Sequence, residues 1–205
     1  QPEEQPEAKP AEQPEQQQES AAQGGPAVQS ADQGIALLAA HTHCICGGET
    51  FEVSYDKLLV STGSSPIMPP LPGIDLMGIY PLKTLEHAAA LKPALGPDKD
   101  IVIVGGGYIG LELAEACLLR KVRSLTIVQA ADHVLTTFDD EFGEAAVAEL
   151  QKHGVKVCLS QRVTGFSGEN GHVTAVLTDG GEVKADAVIL SIGVRPNTRM
   201  IEGVD

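Results

Sequence analysis

Three glycines, Gly105, Gly107 and Gly110, stand directly after the β-branched run Ile101-Val102-Ile103-Val104 and directly before a helical pattern that begins at Leu111. Glycines at these spacings offer backbone chemistry. Gly105 permits a tight turn, Gly107 lets a diphosphate approach the main chain, and Gly110 lets a helix pack closely on the preceding strand. The N–H groups of a first helical turn have no partner within the helix, so they face the anion. A lone GxGxxG is a weak signal. Here a buried strand precedes it, a helix follows, and a second strand, Ser124 to Gln129, completes a βαβ unit. Residues 105–110, Ile109 among them, are therefore a candidate site for a nicotinamide dinucleotide.

About 20 residues beyond such a loop, NAD sites place an acidic residue on the ribose hydroxyls. This chain has Gln129 there. A neutral amide still accepts a hydrogen bond but loses the charge assistance, a difference of about 1 kcal/mol or roughly fivefold in affinity. Gln129 also removes the repulsion that would exclude a 2′-phosphate. No Arg or Lys follows it directly, however, and Asp132 would repel a phosphate. The balance favours NAD(H) and leaves NADP(H) open.

His41, His43, Cys44 and Cys46 form a second cluster of chemically capable residues. In a strand, residues 42, 44 and 46 share one face and 41 and 43 the other, so four ligands do not converge without a bend. Zinc sites also use looser spacings. The cluster reads as ordinary strand residues, and no metal is expected. Cys117 and Cys158 read as small buried core residues.

The elements that must position the loop follow from the pattern of apolar residues. Aromatic residues make up 3% of the chain and Trp is absent, so the core is aliphatic, as in parallel strands flanked by helices. A short strand is expected at Lys57–Val60, followed by a Pro-rich connector from Pro66 to Pro72 that is neither helix nor central strand. Thr84 caps a helix running to Leu91. Beyond the βαβ unit come a helix over 139–153 stopped by Gly154 and a strand at 155–159. A meander follows at 161–167, 172–178 and 182–184, then a final buried strand at 188–192 that ends at Gly193. Residues 41–46 and 51–55 read as a hairpin turned at Gly47-Gly48.

The expected fold class is α/β, a Rossmann-like NAD(P)-binding domain with a parallel sheet and a β-meander. Residues 1–34 hold seven acidic residues and one Lys among Gln, Pro, Ala and Gly. They have almost nothing to bury against the entropy of ordering and read as a disordered arm. The net charge of −14 argues against nucleic acid. No stretch approaches the roughly 20 apolar residues of a membrane span. Four cysteines make no disulfide framework in 205 residues, which points to a reducing cytoplasm. The first residue is Gln, so the chain does not open at a native start.

The runs IVIVGGGYIGLELAE, FDDEFGEAAVAELQKHGVKV and DAVILSIGVRPNT, in that order, resemble the nicotinamide-binding domain of the FAD-dependent pyridine nucleotide–disulfide oxidoreductases. The branch they resemble most holds the NADH oxidases, NADH peroxidases and coenzyme A–disulfide reductases. YDKLLVSTGSSPIMPPLPGID resembles the stretch of the FAD domain that precedes that domain. The resemblance implies that Gly105, Gly107 and Gly110 hold the pyrophosphate and that Tyr108 gates the nicotinamide pocket over the flavin. It implies that Glu112 positions the nicotinamide, that Gly193 approaches its far end, and that Thr62 and Gly63 touch FAD. The domains would be the arm 1–34, a partial FAD-domain segment at 35–80, the NAD(P)H-binding domain at 81–199, and a return toward the FAD domain at 200–205.

The departures are as informative. Such enzymes open with a separate FAD-binding glycine loop, most with a redox cysteine beyond it, where this chain has its low-complexity arm. By this comparison the chain is a fragment that binds nucleotide and has no catalytic residue of its own. Homodimer formation belongs to the complete protein. The complete protein would pass hydride from NADH to flavin and on to a disulfide, peroxide or oxygen. The alternatives are a non-catalytic nucleotide-binding module and an inactive truncation product.

Overall fold

Two short stretches separated by Gly47-Gly48 pair as the sequence suggests. The computed structural model describes residues 36–38, 41–46, 49–54, 57 and 59–199, the first three stretches as backbone alone. Strands β1 (Ala36–Leu38), β2 (His41–Cys46) and β3 (Glu49–Ser54) form an antiparallel sheet in the order β1-β2-β3, with Cys46 opposite Glu49. This sheet belongs to one compact unit; Val60–Thr198 form the other. The expected disordered arm, the turn at Gly47-Gly48, the side chains of His41, His43, Cys44 and Cys46, and residues 200–205 lie outside the described residues.

The second unit is built on a parallel sheet. After β4 (Ser64–Pro66) come β5 (Ile79–Pro81), helix α1 (Leu85–Leu91), β6 (Asp100–Val104), α2 (Tyr108–Leu119), β7 (Ser124–Val128), α3 (Asp140–Lys152) and β8 (Lys156–Cys158). The meander is β9 (Val163–Glu169), β10 (His172–Thr178) and β11 (Gly181–Lys184), followed by β12 (Ala187–Leu190) and β13 (Val194–Pro196). The five-stranded sheet runs β5-β12-β6-β7-β8 with every pairing parallel.

Alternation along these strands builds two cores. Ile101, Ile103, Leu125, Ile127 and Ile189 pack with Leu91 of α1 and Leu113, Ala114 and Cys117 of α2. Val102, Val104, Val128, Val188 and Leu190 face Phe166, Val173 and Val176 of the antiparallel meander. The continuous β-branched runs marked strands covered on both faces; that a second sheet covers one of them emerges only from tertiary packing.

Helix α1 begins where expected, Thr84 accepting from the His87 N–H at 3.3 Å. Helix α2 starts at Tyr108 rather than Leu111, because Gly107 itself is the extended N-cap residue. Its buried face is Gly110, Leu113, Ala114 and Cys117, with Leu111 and Leu118 only half-buried. The strand expected at Lys57–Val60 is not formed among its described residues: Leu59 and Val60 join no ladder, and an apolar run becomes a strand only beside a partner. β4 and β13 went unread because each is three residues long and exists through the other, Ser65 pairing with Arg195. β5 is likewise fixed by its parallel pairing to β12.

Candidate nucleotide site

The glycine loop leaves the carboxyl end of β6, at the edge of the parallel sheet where open α/β folds bind ligands. Gly105 turns the chain at φ +108°, and its N–H donates to the Val128 carbonyl at 2.9 Å. A Cβ there would meet the Ser191 carbonyl oxygen at 2.5 Å. At Gly110 a Cβ would collide with the Gly105 carbonyl oxygen and stand 2.9 Å from Ser191 Oγ. Gly107 differs in kind: a Cβ there would meet nothing within 4 Å. Gly105 and Gly110 are required by the protein's own packing, whereas the space above Gly107 is open. Among the described residues, the N–H groups of Gly107, Tyr108 and Ile109 take no protein acceptor.

A cleft of about 490 Å³ opens over this loop. Its walls include Gly105, Gly106, Gly107, Tyr108, Ile109, Gln129 and Gly193, the last with φ +104°. Gln129 is engaged at both ends: Oε1 accepts from the Gly106 N–H at 3.0 Å and Nε2 donates to the His133 carbonyl at 3.2 Å. It braces the loop from the neighbouring strand. Tyr108 is half exposed; its hydroxyl is 2.8 Å from Thr137 Oγ1 and its ring meets Phe138 edge-on at 5.5 Å.

Other sequence candidates fall elsewhere. Glu112 is exposed on α2 and is not part of the cleft wall. Thr62 and Gly63 are also outside it, tied to the turn after β13. Thr62 Oγ1 donates to the Asn197 carbonyl at 2.6 Å, and the Gly63 carbonyl accepts from the Asn197 N–H at 2.9 Å. Asp132 turns away, paired with His133 Nδ1 at 2.7 Å, and lines a separate cleft beside α3.

Among the wall residues that escaped the sequence reading, two hold polar roles in the site. Ser191 Oγ donates to the Val104 and Gly105 carbonyls at 3.1 and 2.9 Å, holding the turn from the adjacent strand end. A hydroxyl just after the apolar run of β12, inside the expected strand 188–192, was its only signal. Arg162 reaches the cleft because residues 160–162 run beside the end of β7: the Gln161 N–H donates to the Gln129 carbonyl at 3.0 Å. Sequence distance concealed that approach.

The cysteines whose side chains are described, Cys117 and Cys158, are both buried. Cys117 is fully buried and burial pushes its pKa up to about 11; Cys158 is also buried and unbridged. Among the described residues no group of three or more His, Cys, Asp or Glu is placed to hold a metal ion, and no helix is long and apolar enough to cross a membrane.

A parallel sheet with a glycine loop at its carboxyl edge, backed by a meander, defines a dinucleotide-binding α/β domain. The chain belongs to the pyridine nucleotide-disulphide oxidoreductase family, whose model matches residues 2–205. It is 40% identical over 157 residues to an NADH oxidase of Enterococcus faecalis, covering 76% of this chain and 35% of that protein. It is 35% identical to a CoA-dependent NAD(P)H sulfur oxidoreductase of Pyrococcus furiosus, over 75% of this chain and 35% of that protein. The chain thus spans about a third of the length of these relatives. Among solved structures it is similar to the water-forming NADH oxidase of Lactobacillus brevis bound to NADH, with a TM-score of 0.69 and 32% identity over 85% of this chain and 38% of that one. An NADPH oxidase engineered from that enzyme and bound to NADPH is similar too, with a TM-score of 0.69 and 31% identity over 86% and 38%.

Proposed function

We propose that this chain is the NAD(P)H-binding part of an FAD-dependent oxidoreductase that passes hydride from the nicotinamide to flavin and on to oxygen, peroxide or a disulfide. The observation that carries the reading is Gly107. Its open space and the unpartnered N–H groups of residues 107–109 form a cradle that a diphosphate would fill. The positive end of α2 adds to the attraction. Tyr108 and Gly193 would flank the nicotinamide and Gln129 would hold the loop to shape, with Glu112 acting from outside the wall. The relatives' names, NADH oxidase and NAD(P)H sulfur oxidoreductase, support the same chemistry.

Flavin fits the described residues less well. Thr62 and Gly63 are the candidates, and the Thr62 hydroxyl and both carbonyls are already used by Asn197. Flavin, when bound, supplies the two-electron relay; this chain's own share is to bind the dinucleotide and orient its ring at the Tyr108–Gly193 end of the cleft. We assign residues 81–199 to nucleotide binding and 35–80 to a part of the FAD domain. Dimer formation we assign to a protein of the relatives' full length.

Calorimetric titration of the chain with NADH tests the reading. Binding is expected, and Gly107→Val should weaken it at least tenfold with thermal stability unchanged. Undiminished binding by Gly107→Val would refute the site. That no His, Cys or carboxylate side chain stands in the cleft wall among the described residues favours a second reading, a binding module without catalysis. NADH consumption on adding FAD separates the two.

A further inference from the structure

The chain carries a net charge of −14, yet among the described residues no carboxylate lines the nucleotide cleft, and Arg162 is the one charged wall residue. Arg162 stands beside the end of β7, the edge where a βαβ site holds the adenosine ribose. Its backbone N–H donates to Asp179 Oδ1 at 2.9 Å, while its guanidinium makes no ion pair among the described residues. Neither Gln129 nor Asp132, whose charge counted against a phosphate in the sequence, acts against one here. Gln129 is neutral and committed to Gly106 and His133, and Asp132 is paired with His133 in another cleft.

We propose that Arg162 is a specificity residue that pairs with the 2′-phosphate of NADP(H), so that this site takes NADP(H) at least as well as NAD(H). The inference rests on the proposed nucleotide site and adds the identity of its adenosine-end contact. Guanidinium is suited to this task, since its planar fork donates two parallel hydrogen bonds to one phosphate. A carboxylate at the ribose would repel that phosphate; this cleft has none. The NADPH-bound engineered neighbour supports the chemistry: its five substitutions include the loss of an aspartate and the gain of two arginines.

The test is a parallel titration of the full chain, Arg162→Gln and Arg162→Lys with NADPH and NADH at one ionic strength. In the unaltered chain NADPH should bind no more weakly than NADH. Arg162→Gln should weaken NADPH roughly tenfold or more while leaving NADH within about twofold. Arg162→Lys should retain part of the NADPH affinity. The adenosine fragments 2′,5′-ADP and 5′-AMP should repeat the contrast without the nicotinamide. NADPH binding markedly weaker than NADH in the unaltered chain would overturn the assignment. So would an equal loss for both ligands in Arg162→Gln, which would place the guanidinium on the shared diphosphate. If neither dinucleotide binds at all, the site itself is wrong, an outcome distinct from NADH binding without NADPH.

Discussion

The two edges of the parallel sheet are made from the same strands and differ in how their polar groups are used. At the amino edge charges are saturated by each other. Asp100, at the start of β6, is nearly buried and accepts from Arg123 Nε and Nη2 at 2.7 and 2.6 Å and from Ser124 Oγ at 2.8 Å. Arg123 also pairs with Asp186 at 2.9 Å, and Lys184 lies 3.5 Å from Asp100. The Arg123 hydrogen bonds, with Ser124 and the nearby cations, hold the Asp100 carboxyl well below the usual carboxylate range. At the carboxyl edge, among the described residues, the backbone N–H groups of residues 107–109 take no protein acceptor and the guanidinium of Arg162 makes no ion pair. A polar cluster that satisfies itself fixes strand positions. One that leaves donors facing a cleft is prepared for a ligand.

The largest expected effect lies at the open edge, where packing and binding meet. Gly110→Val puts side-chain atoms against the Gly105 carbonyl, and a backbone obstacle cannot rotate away. We expect a loss of about 3 kcal/mol or more in chemical denaturation. A variant of unchanged stability would show that α2 does not pack this closely, and would blur the distinction from Gly107.

Next is the closed edge. Asp100→Asn should cost about 2–3 kcal/mol, below the range for a fully buried pair because Arg123 is half exposed. NADH affinity should not change. The Asp100 pKa is depressed on folding, so its stabilisation is complete above the unfolded value near 4 and declines as pH falls below it. Denaturant midpoints measured from about pH 5 to 2 should therefore drop less in Asp100→Asn than in the parent. A nucleotide-binding defect in this variant would mean that the two edges are not independent.

The smallest effect concerns the brace. Gln129→Ala leaves the Gly106 N–H without its acceptor, at a cost of about 1 kcal/mol in stability. NADH affinity should fall only a few-fold. A loss as large as that of Gly107→Val would show that Gln129 contacts the dinucleotide directly.

Much of this architecture could be read from residue types. The run Ile101–Val104 allows little besides a buried strand, and glycines at 105, 107 and 110 allow a tight turn into a helix. Thr84 and Gly154 mark helix ends by local hydrogen bonding and by φ +79° respectively. What could not be read depended on partners distant in sequence: β5 on β12, β4 on β13, Ser191 on the Gly105 carbonyl. Gln129 was legible as a residue of the site but not in its geometry, because the preference of its amide for Gly106 over open solvent is set by the spacing of two strands.

The sequence by itself determined the buried strands and the helices around the glycine loop, which faces are apolar, and which bend in the backbone would bare its N–H groups. Those properties are local, governed by steric limits on φ and ψ and by side-chain periodicity. Only the tertiary structure decided which charges answer each other and which face the cleft. It brought Arg123 and Lys184 to Asp100 and Arg162 beside Gln129. Electrostatic partnership depends on distances of a few ångströms between segments that the chain order keeps apart.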